Sequence, residues 1–218
     1  PKLVKAAASV PGIEVIGLGT NLACYGGVIP TPENMRLLMD TVSACRRSTE
    51  LPLSVVCGGN SSGLPLLASG RLPGGINLYR IGEAIMLGRN VIDRSPWPGT
   101  RQDTFILKAE VIESETKPSK PIGTIGQDAF GNVPEFTDKG LRTRIICNVG
   151  RQDVVPDGLT PLDEGVEILG ASSDHLIVDV TDCKRTFEVG DEIGFYPGYG
   201  ALLALITSEY IFKVIKEG

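Results

Sequence analysis

Residues 53–83 read LSVVCGGNSSGLPLLASGRLPGGINLYRIGE. A continuous apolar run, Leu53 to Cys57, ends in Gly58-Gly59-Asn60-Ser61-Ser62, and a helix is expected over Leu64 to Ser69. A second run, Ile76 to Tyr79, leads through Arg80-Ile81-Gly82 into a short helix over Glu83 to Leu87. Strands without polar alternation, separated by helices, mark parallel β/α units covered on both faces.

One more unit lies upstream. Ile13 to Leu18 is a short apolar run, followed by the loop Gly19 to Pro30. Thr31-Pro32-Glu33 supplies a capping hydroxyl, a proline at the first helical position and an early acid. Met35, Leu38, Met39, Val42 and Cys45 then recur at helical spacing. Three parallel strands cannot close a barrel, and their open edges would be a liability, so residues 1–98 read as part of a larger β/α architecture.

Downstream, Arg94 to Asp103 (RSPWPGTRQD) reads as a linker. Beyond it the period changes to two. Phe105 to Ser114, Leu141 to Val149, Val166 to Gly170, His175 to Val180 and Glu192 to Tyr196 are the expected strands. Turns are expected at Asp138-Lys139-Gly140, Pro156-Asp157-Gly158 and Val189-Gly190-Asp191, so residues 99–218 form a mostly antiparallel β domain. The expected class is α/β plus all-β.

Bulk properties narrow the function. A net charge of -5 argues against nucleic acid or an anionic membrane as partner. No apolar run approaches the ~20 residues of a membrane span, and no secretory signal is visible. The five cysteines form no CxxC pair and no Cys/His cluster, which fits reduced thiols in a cytoplasmic protein better than a disulfide framework or a zinc site. The chain opens on Pro1, so residue 1 is not expected to be where translation starts.

Gly58-Gly59-Asn60-Ser61-Ser62 sits where a strand gives way to a helix. Glycines let the backbone approach an anion, and free N–H groups and hydroxyls supply donors. The same residues would equally serve as a glycine turn with a serine cap. Arg80-Ile81-Gly82-Glu83 lies at the same kind of junction one unit later, and two adjacent loops of this kind suit a phosphate site. Taken alone, Arg80 could be a surface arginine. Gly17 to Gly27 fits neither a dinucleotide fingerprint nor a P-loop. His175, the single histidine, is the one side chain type whose ordinary titration falls near neutrality, although a histidine at a strand start is as readily structural. Asp174, Asp179 and Asp182 could be a solvated strand edge, and Asp128 and Asp153 simple turn residues.

Taken in order, these motifs resemble the last three β/α units and the β domain of the alanine racemase family, the fold-type III pyridoxal-phosphate (PLP) enzymes. Gly17-Leu18-Gly19-Thr20-Asn21 is similar to the family's sixth-strand loop, which often has histidine where Asn21 stands. Gly59-Asn60-Ser61-Ser62 resembles its Ala-Asn-Ser phosphate loop, and Arg80-Ile81-Gly82 its Arg-x-Gly motif. Gly170-Ala171-Ser172-Ser173-Asp174-His175 with Val178-Asp179-Val180-Thr181-Asp182 resembles its Met-Asp-Gln…Val-Asp-Val-Thr-Asp signature. CYGGVIPT, GGNSS, RIGEAI, IGQDAFG, GRQDV and GASSDHLIVDVTD together look most like the branch of the family that racemises ornithine.

The resemblance implies a PLP-binding (β/α)8 barrel plus a β domain, and a homodimer in which each active site is completed by the partner's β domain. It implies that Ser61, with groups near Gly59, Asn60, Ser62, Gly82 and Glu83, holds the cofactor phosphate, that Tyr199 adds a contact, and that Asn21 lies in the cofactor site. Arg80 is expected at the pyridine nitrogen. The family's cofactor-binding lysine belongs to the first barrel strand; Lys2 and Lys5 do not match it, so the 218 residues alone are expected to be inactive. Where the family has a tyrosine as second base, this chain is expected to align Gly123-Thr124-Ile125-Gly126. Asp174 and His175 are then the expected acid–base groups, with Asp128 as a further candidate. Asp128, Asp153 and Ser173 are expected at a basic amino-acid substrate such as ornithine. The competing readings are a fold-type III decarboxylase and a non-catalytic PLP- or anion-binding module.

Overall fold

The computed structural model describes residues 1–128 and 130–216, which fall into two compact units, Pro1–Gln102 and Asp103–Gly218. Among the described residues no helix is long and apolar enough to cross a membrane.

The first unit is built on three parallel strands, β1 (Gly17–Gly19), β2 (Val55–Asn60) and β3 (Leu78–Arg80), in that order across the sheet. The central strand β2 has Val56 and Cys57 buried in succession, which is why it lacks alternation. Glycine permits the close approach of β1: a Cβ on Gly17 would lie 1.9 Å from the Val55 carbonyl oxygen. β2 runs on through Gly58 and Gly59, which sequence reasoning placed in a loop because glycine weakens strands. The Tyr79 ring fills the space a Cβ on Gly58 would occupy, its Cζ only 2.5 Å from that point.

Helix α2 (Pro32–Thr49) starts as its sequence predicts. Thr31 Oγ1 accepts from Asn34 N at 3.3 Å, and Asn34 Oδ1 accepts from Thr31 N at 2.9 Å, a reciprocal capping box. It ends at Glu50 in the left-handed conformation (φ 60°), and Arg46 donates to Pro52 O and Leu53 O, each at 2.9 Å. Met35, Leu38, Val42 and Cys45 form its buried face, with Leu38 and Val42 packed on Val56. A short helix not expected from the sequence, α1 (Lys2–Ala8), puts Val4 against Cys45 and Leu53. Helices α3 (Leu64–Ala68) and α4 (Glu83–Leu87) follow β2 and β3.

Much of the proline-rich stretch after α4 folds back on that helix rather than leading away. Trp97 N, Thr100 Oγ1 and Gln102 Nε2 donate to Gly88 O at 2.8, 2.9 and 2.8 Å. These bonds hold residues 97–102 to the first unit, four residues past the boundary drawn from composition.

The second unit is a six-stranded antiparallel sheet of order β6-β9-β4-β5-β8-β7: β4 (Leu107–Pro118), β5 (Leu141–Cys147), β6 (Leu159–Pro161), β7 (Glu167–Ala171), β8 (Leu176–Asp179) and β9 (Glu192–Pro197). Leu107, Ala109 and Val111 alternate inward on β4 and pack with Ile145, Cys147, Leu176, Val178, Ile193 and Phe195. Helix α5 (Tyr199–Thr207) closes this core with Ala201 and Leu205. Sequence reasoning found neither α5 nor β6. YGALLALIT is apolar on nearly every side and therefore shows no helical stripe, and three residues are too few to show a period.

Candidate functional site

The C-terminal ends of β1, β2 and β3 converge. Gly59 has φ 114°, a conformation L side chains rarely adopt, and it turns the chain so that Asn60 faces the loop after β1. Asn60 Nδ2 donates to Asn21 Oδ1 at 2.9 Å and to Leu22 O at 2.8 Å, while its Oδ1 accepts from Ser62 N at 2.8 Å. Ser62 Oγ donates to Leu22 O at 3.3 Å.

Ser61 ties the second loop to the third. Its hydroxyl oxygen accepts from Gly82 N at 3.2 Å and Ala84 N at 3.3 Å, and the residue is only 4% exposed. Two backbone N–H groups from the start of α4 are thereby already aimed at one oxygen. Arg80, exposed at the end of β3, donates through Nη2 to Asn21 Oδ1 at 3.2 Å and through Nη1 to Cys57 Sγ at 3.5 Å. Asn21 Oδ1 thus receives both Asn60 and Arg80. Glu83 contributes backbone at the same helix start, and its carboxylate pairs with Arg94. The Tyr79 hydroxyl, behind the strands, is buried without a hydrogen-bond partner among the described residues, and burial pushes its phenol above the ordinary tyrosine range.

The structure therefore gathers Asn21, Gly59, Asn60, Ser61, Ser62, Arg80, Gly82 and Glu83 at one sheet end. Cys57 and the Leu22 carbonyl belong to the same network and carried no sequence signal, since both act through positions that only strand pairing creates.

The other expected residues lie in the second unit. Asp174 Oδ1 accepts from Ser173 Oγ at 2.9 Å and Ser172 Oγ at 3.3 Å, and lies 3.6 Å from His175 Nδ1. The Ser173 hydroxyl first, with the charge of His175 and the Ser172 hydroxyl adding to it, outweighs the opposing effect of desolvation and holds its carboxyl below the usual range. Both side chains are about half exposed. Tyr199 is half exposed at the start of α5.

Asp128 is exposed, and its Oδ1 accepts from Phe130 N at 2.9 Å and Asn132 N at 2.8 Å, a side-chain-closed turn. Asp153 is 3% exposed and accepts from Ser208 Oγ at 2.7 Å. A buried carboxylate already bonded to α5's following residue is poorly placed to meet a substrate ammonium, and Asp153 has no part in the function proposed below.

No protein-family model matches the chain. Solved structures with the same fold include alanine racemase from Bartonella henselae with covalently bound pyridoxal phosphate (TM-score 0.54, 20% identity, 94% of this chain and 54% of that one). D-threonine aldolase from Filomicrobium marinum aligns with TM-score 0.57 at 16% identity, over 93% of this chain and 50% of that one. Alanine racemase from Bacillus anthracis aligns with TM-score 0.56 at 16% identity, over 88% of this chain and 48% of that one. The fold is accordingly that of the later β/α units and β domain of the alanine racemase type, as the sequence motifs imply.

Sequence comparison is more specific. The chain is 48% identical over 210 residues to ornithine racemase of Acetoanaerobium sticklandii, covering 96% of its own length. It is 44% identical over 215 residues to lysine racemase of Thermotoga maritima, covering 99% of its own length. It spans 60% of the length of each. The chain is similar to the ornithine and lysine racemases over their C-terminal part.

Proposed function

We propose that the protein is a PLP-dependent racemase of a basic amino acid, ornithine or lysine, working by removal of the α-proton and its return to the opposite face. The observation that carries this reading is the convergence of Ser61, Gly82 and Arg80 at three successive parallel strand ends.

The residues fit the cofactor. A phosphate needs several donors aimed at one small volume, and Gly82 N and Ala84 N already point at the Ser61 oxygen. Ser61 and Ser62 hydroxyls, with Glu83 N, would complete that grip. Arg80 would face the pyridine nitrogen, held in place by Asn21 and Cys57. When bound, pyridoxal phosphate supplies an electron sink for the charge left at Cα. A guanidinium does not give up its proton, so Arg80 would leave the ring nitrogen uncharged and temper that sink. Such tempering favours simple proton return over side reactions.

His175, with Asp174 beside it, is the proposed proton carrier at Cα. Asp174 stays ionised at neutral pH and would stabilise the imidazolium form as His175 takes a proton. Tyr199 is proposed as a further phosphate contact and Ser173 as a substrate contact. The working assembly is proposed to be a cytoplasmic homodimer with shared active sites, which sedimentation of the full-length protein tests.

The deciding experiment incubates full-length protein, loaded with pyridoxal phosphate, with L-ornithine and with L-lysine. D-enantiomer without CO2 is the expected result. CO2 release would make it a decarboxylase instead, and neither product would leave an anion-binding module. Ser61→Ala is expected to weaken pyridoxal phosphate binding about tenfold or more, read by cofactor titration.

A further inference from the structure

Beside the Asp174–His175 pair the β unit carries two further charged residues, Arg151 and Asp128, that the proton transfer above does not use. Three segments distant in sequence meet there: Asp128 with Phe130–Asn132, the turn 149–153 and the hairpin tip 171–175. Arg151 N donates to Ser172 O at 3.0 Å and Gln152 N to Ser173 O at 2.9 Å. Gly150 packs so tightly on the tip that a Cβ there would lie 2.4 Å from the Asp174 backbone nitrogen. Arg151 leaves this contact exposed to solvent, with its guanidinium carbon 4.8 Å from the centre of the Phe130 ring.

That guanidinium is held at two points and free at the third. Nε donates to Ala171 O at 3.1 Å, and the Phe130 face supports the plane. Among the described residues the two terminal nitrogens donate to no protein acceptor, although they carry four of the five N–H groups of the fork. No carboxylate pairs with Arg151 within 4 Å among the described residues. Asp174 is instead engaged by Ser172, Ser173 and His175, and Asp128 by Asn132 and Phe130. Asp128 is nevertheless near enough to feel the Arg151 charge. An exposed, oriented guanidinium edge is the geometry that takes a carboxylate through two parallel N–H···O bonds.

We propose that Arg151 reads the α-carboxylate of the substrate, and that Asp128 beside it takes the distal ammonium of a diamino acid. This rests on the reading that the substrate is an amino acid, and goes beyond it by assigning recognition to two residues of the β unit. Stacking and the Nε tether remove most of the rotamer freedom a free arginine would lose on binding, so little of the carboxylate's interaction is spent on ordering. A lysine at 151 would keep the charge without the fork.

Calorimetric titration of the full-length protein with L-ornithine and with 1,4-diaminobutane, which lacks the carboxylate, tests the assignment. Arg151→Ala is expected to weaken L-ornithine about 10- to 100-fold and to leave 1,4-diaminobutane unchanged. Asp128→Asn is expected to weaken both, and to leave L-alanine unchanged. Phe130→Leu keeps Arg151 and its tether while removing the platform, and is expected to cost L-ornithine a few-fold; it serves if Arg151→Ala does not fold. An L-ornithine affinity unchanged in Arg151→Ala, an equal loss for both ligands, or no L-ornithine binding by the wild type overturns the inference. Arg151-dependent L-ornithine binding by a protein that forms no D-ornithine would instead leave the inference standing and remove the racemase reading.

Discussion

Single side chains in this protein are committed by what surrounds them rather than by their type. Asp179 is 2% exposed on β8 and accepts from Arg142 Nε at 2.9 Å, while Arg142 also reaches Asp182 at 2.5 Å. Burial alone would push the Asp179 carboxyl up, but the Arg142 hydrogen bond, two bonds from Thr181 and the Arg142 charge together hold it below the ordinary range. A carboxyl lowered in the folded state stabilises the fold above its ordinary pKa, and that contribution is lost as pH falls through the folded value. The melting temperature is therefore expected to fall as pH drops below the ordinary carboxylate value of about 4 in wild type, and to do so less steeply in Asp179→Asn. At pH 7 the same substitution is expected to cost about 3 kcal/mol, because it leaves the guanidinium short of a partner in a nearly closed site. Thermal melts across the acid range check the first, and chemical denaturation at pH 7 the second. Gly59→Ala is a second case. The nearest atom to the added Cβ is 3.5 Å away, so space is adequate, yet φ 114° is strained for alanine. A loss of about 1–3 kcal/mol is expected from the backbone alone, seen as a lowered denaturation midpoint.

Among elements, α2 shows how local rules and packing divide the work. Its start is written in Thr31-Pro32-Glu33-Asn34, and Thr31→Ala is expected to cost about 1 kcal/mol in a melt by removing one half of the capping box. Its register on the sheet is set by Val42 and Cys45, both fully buried, so Val42→Ala should cost more, about 2 kcal/mol. Strand β5 offers a chemical check on burial. Cys147 points into the β core, and burial pushes its thiol up to about 12. It should resist a thiol reagent at pH 8 in the native protein, as should buried Cys45 and Cys57, while exposed Cys24 reacts at once. Fast labelling of Cys147 would show that the β5 core opens readily.

At the scale of the whole molecule, the two units differ in how completely each satisfies itself. The antiparallel unit surrounds Phe195, Ile145, Leu176 and Ile193 with its own strands and α5. The parallel unit has β1 and β3 each paired on one side only among the described residues, and leaves Ile13, Ile16, Leu37 and Ile85 more than half exposed. Residues 103–216 expressed alone are accordingly expected to melt cooperatively, and residues 1–102 alone to aggregate or stay partly folded, as circular dichroism and sedimentation would report.

Reading along the chain sufficed for the parallel β/α units, for five of the six antiparallel strands and for the glycine and serine junctions at the ends of β2 and β3. Those features are local: apolar period, capping chemistry and glycine at junctions are carried by neighbours a few residues apart. What lay beyond such reading was every feature made by residues far apart. Gly58 became strand because Tyr79, twenty-one residues on, fills the room its side chain would take. Asn21 joined Asn60 to Arg80 because parallel pairing lays three strand ends side by side. Arg151, an unremarkable arginine in its own segment, gained an oriented fork, its ends unpaired among the described residues, only when Phe130 and Ala171 were packed against it. Long-range contacts of that kind depend on how elements are laid against one another, and no short window of sequence encodes that arrangement.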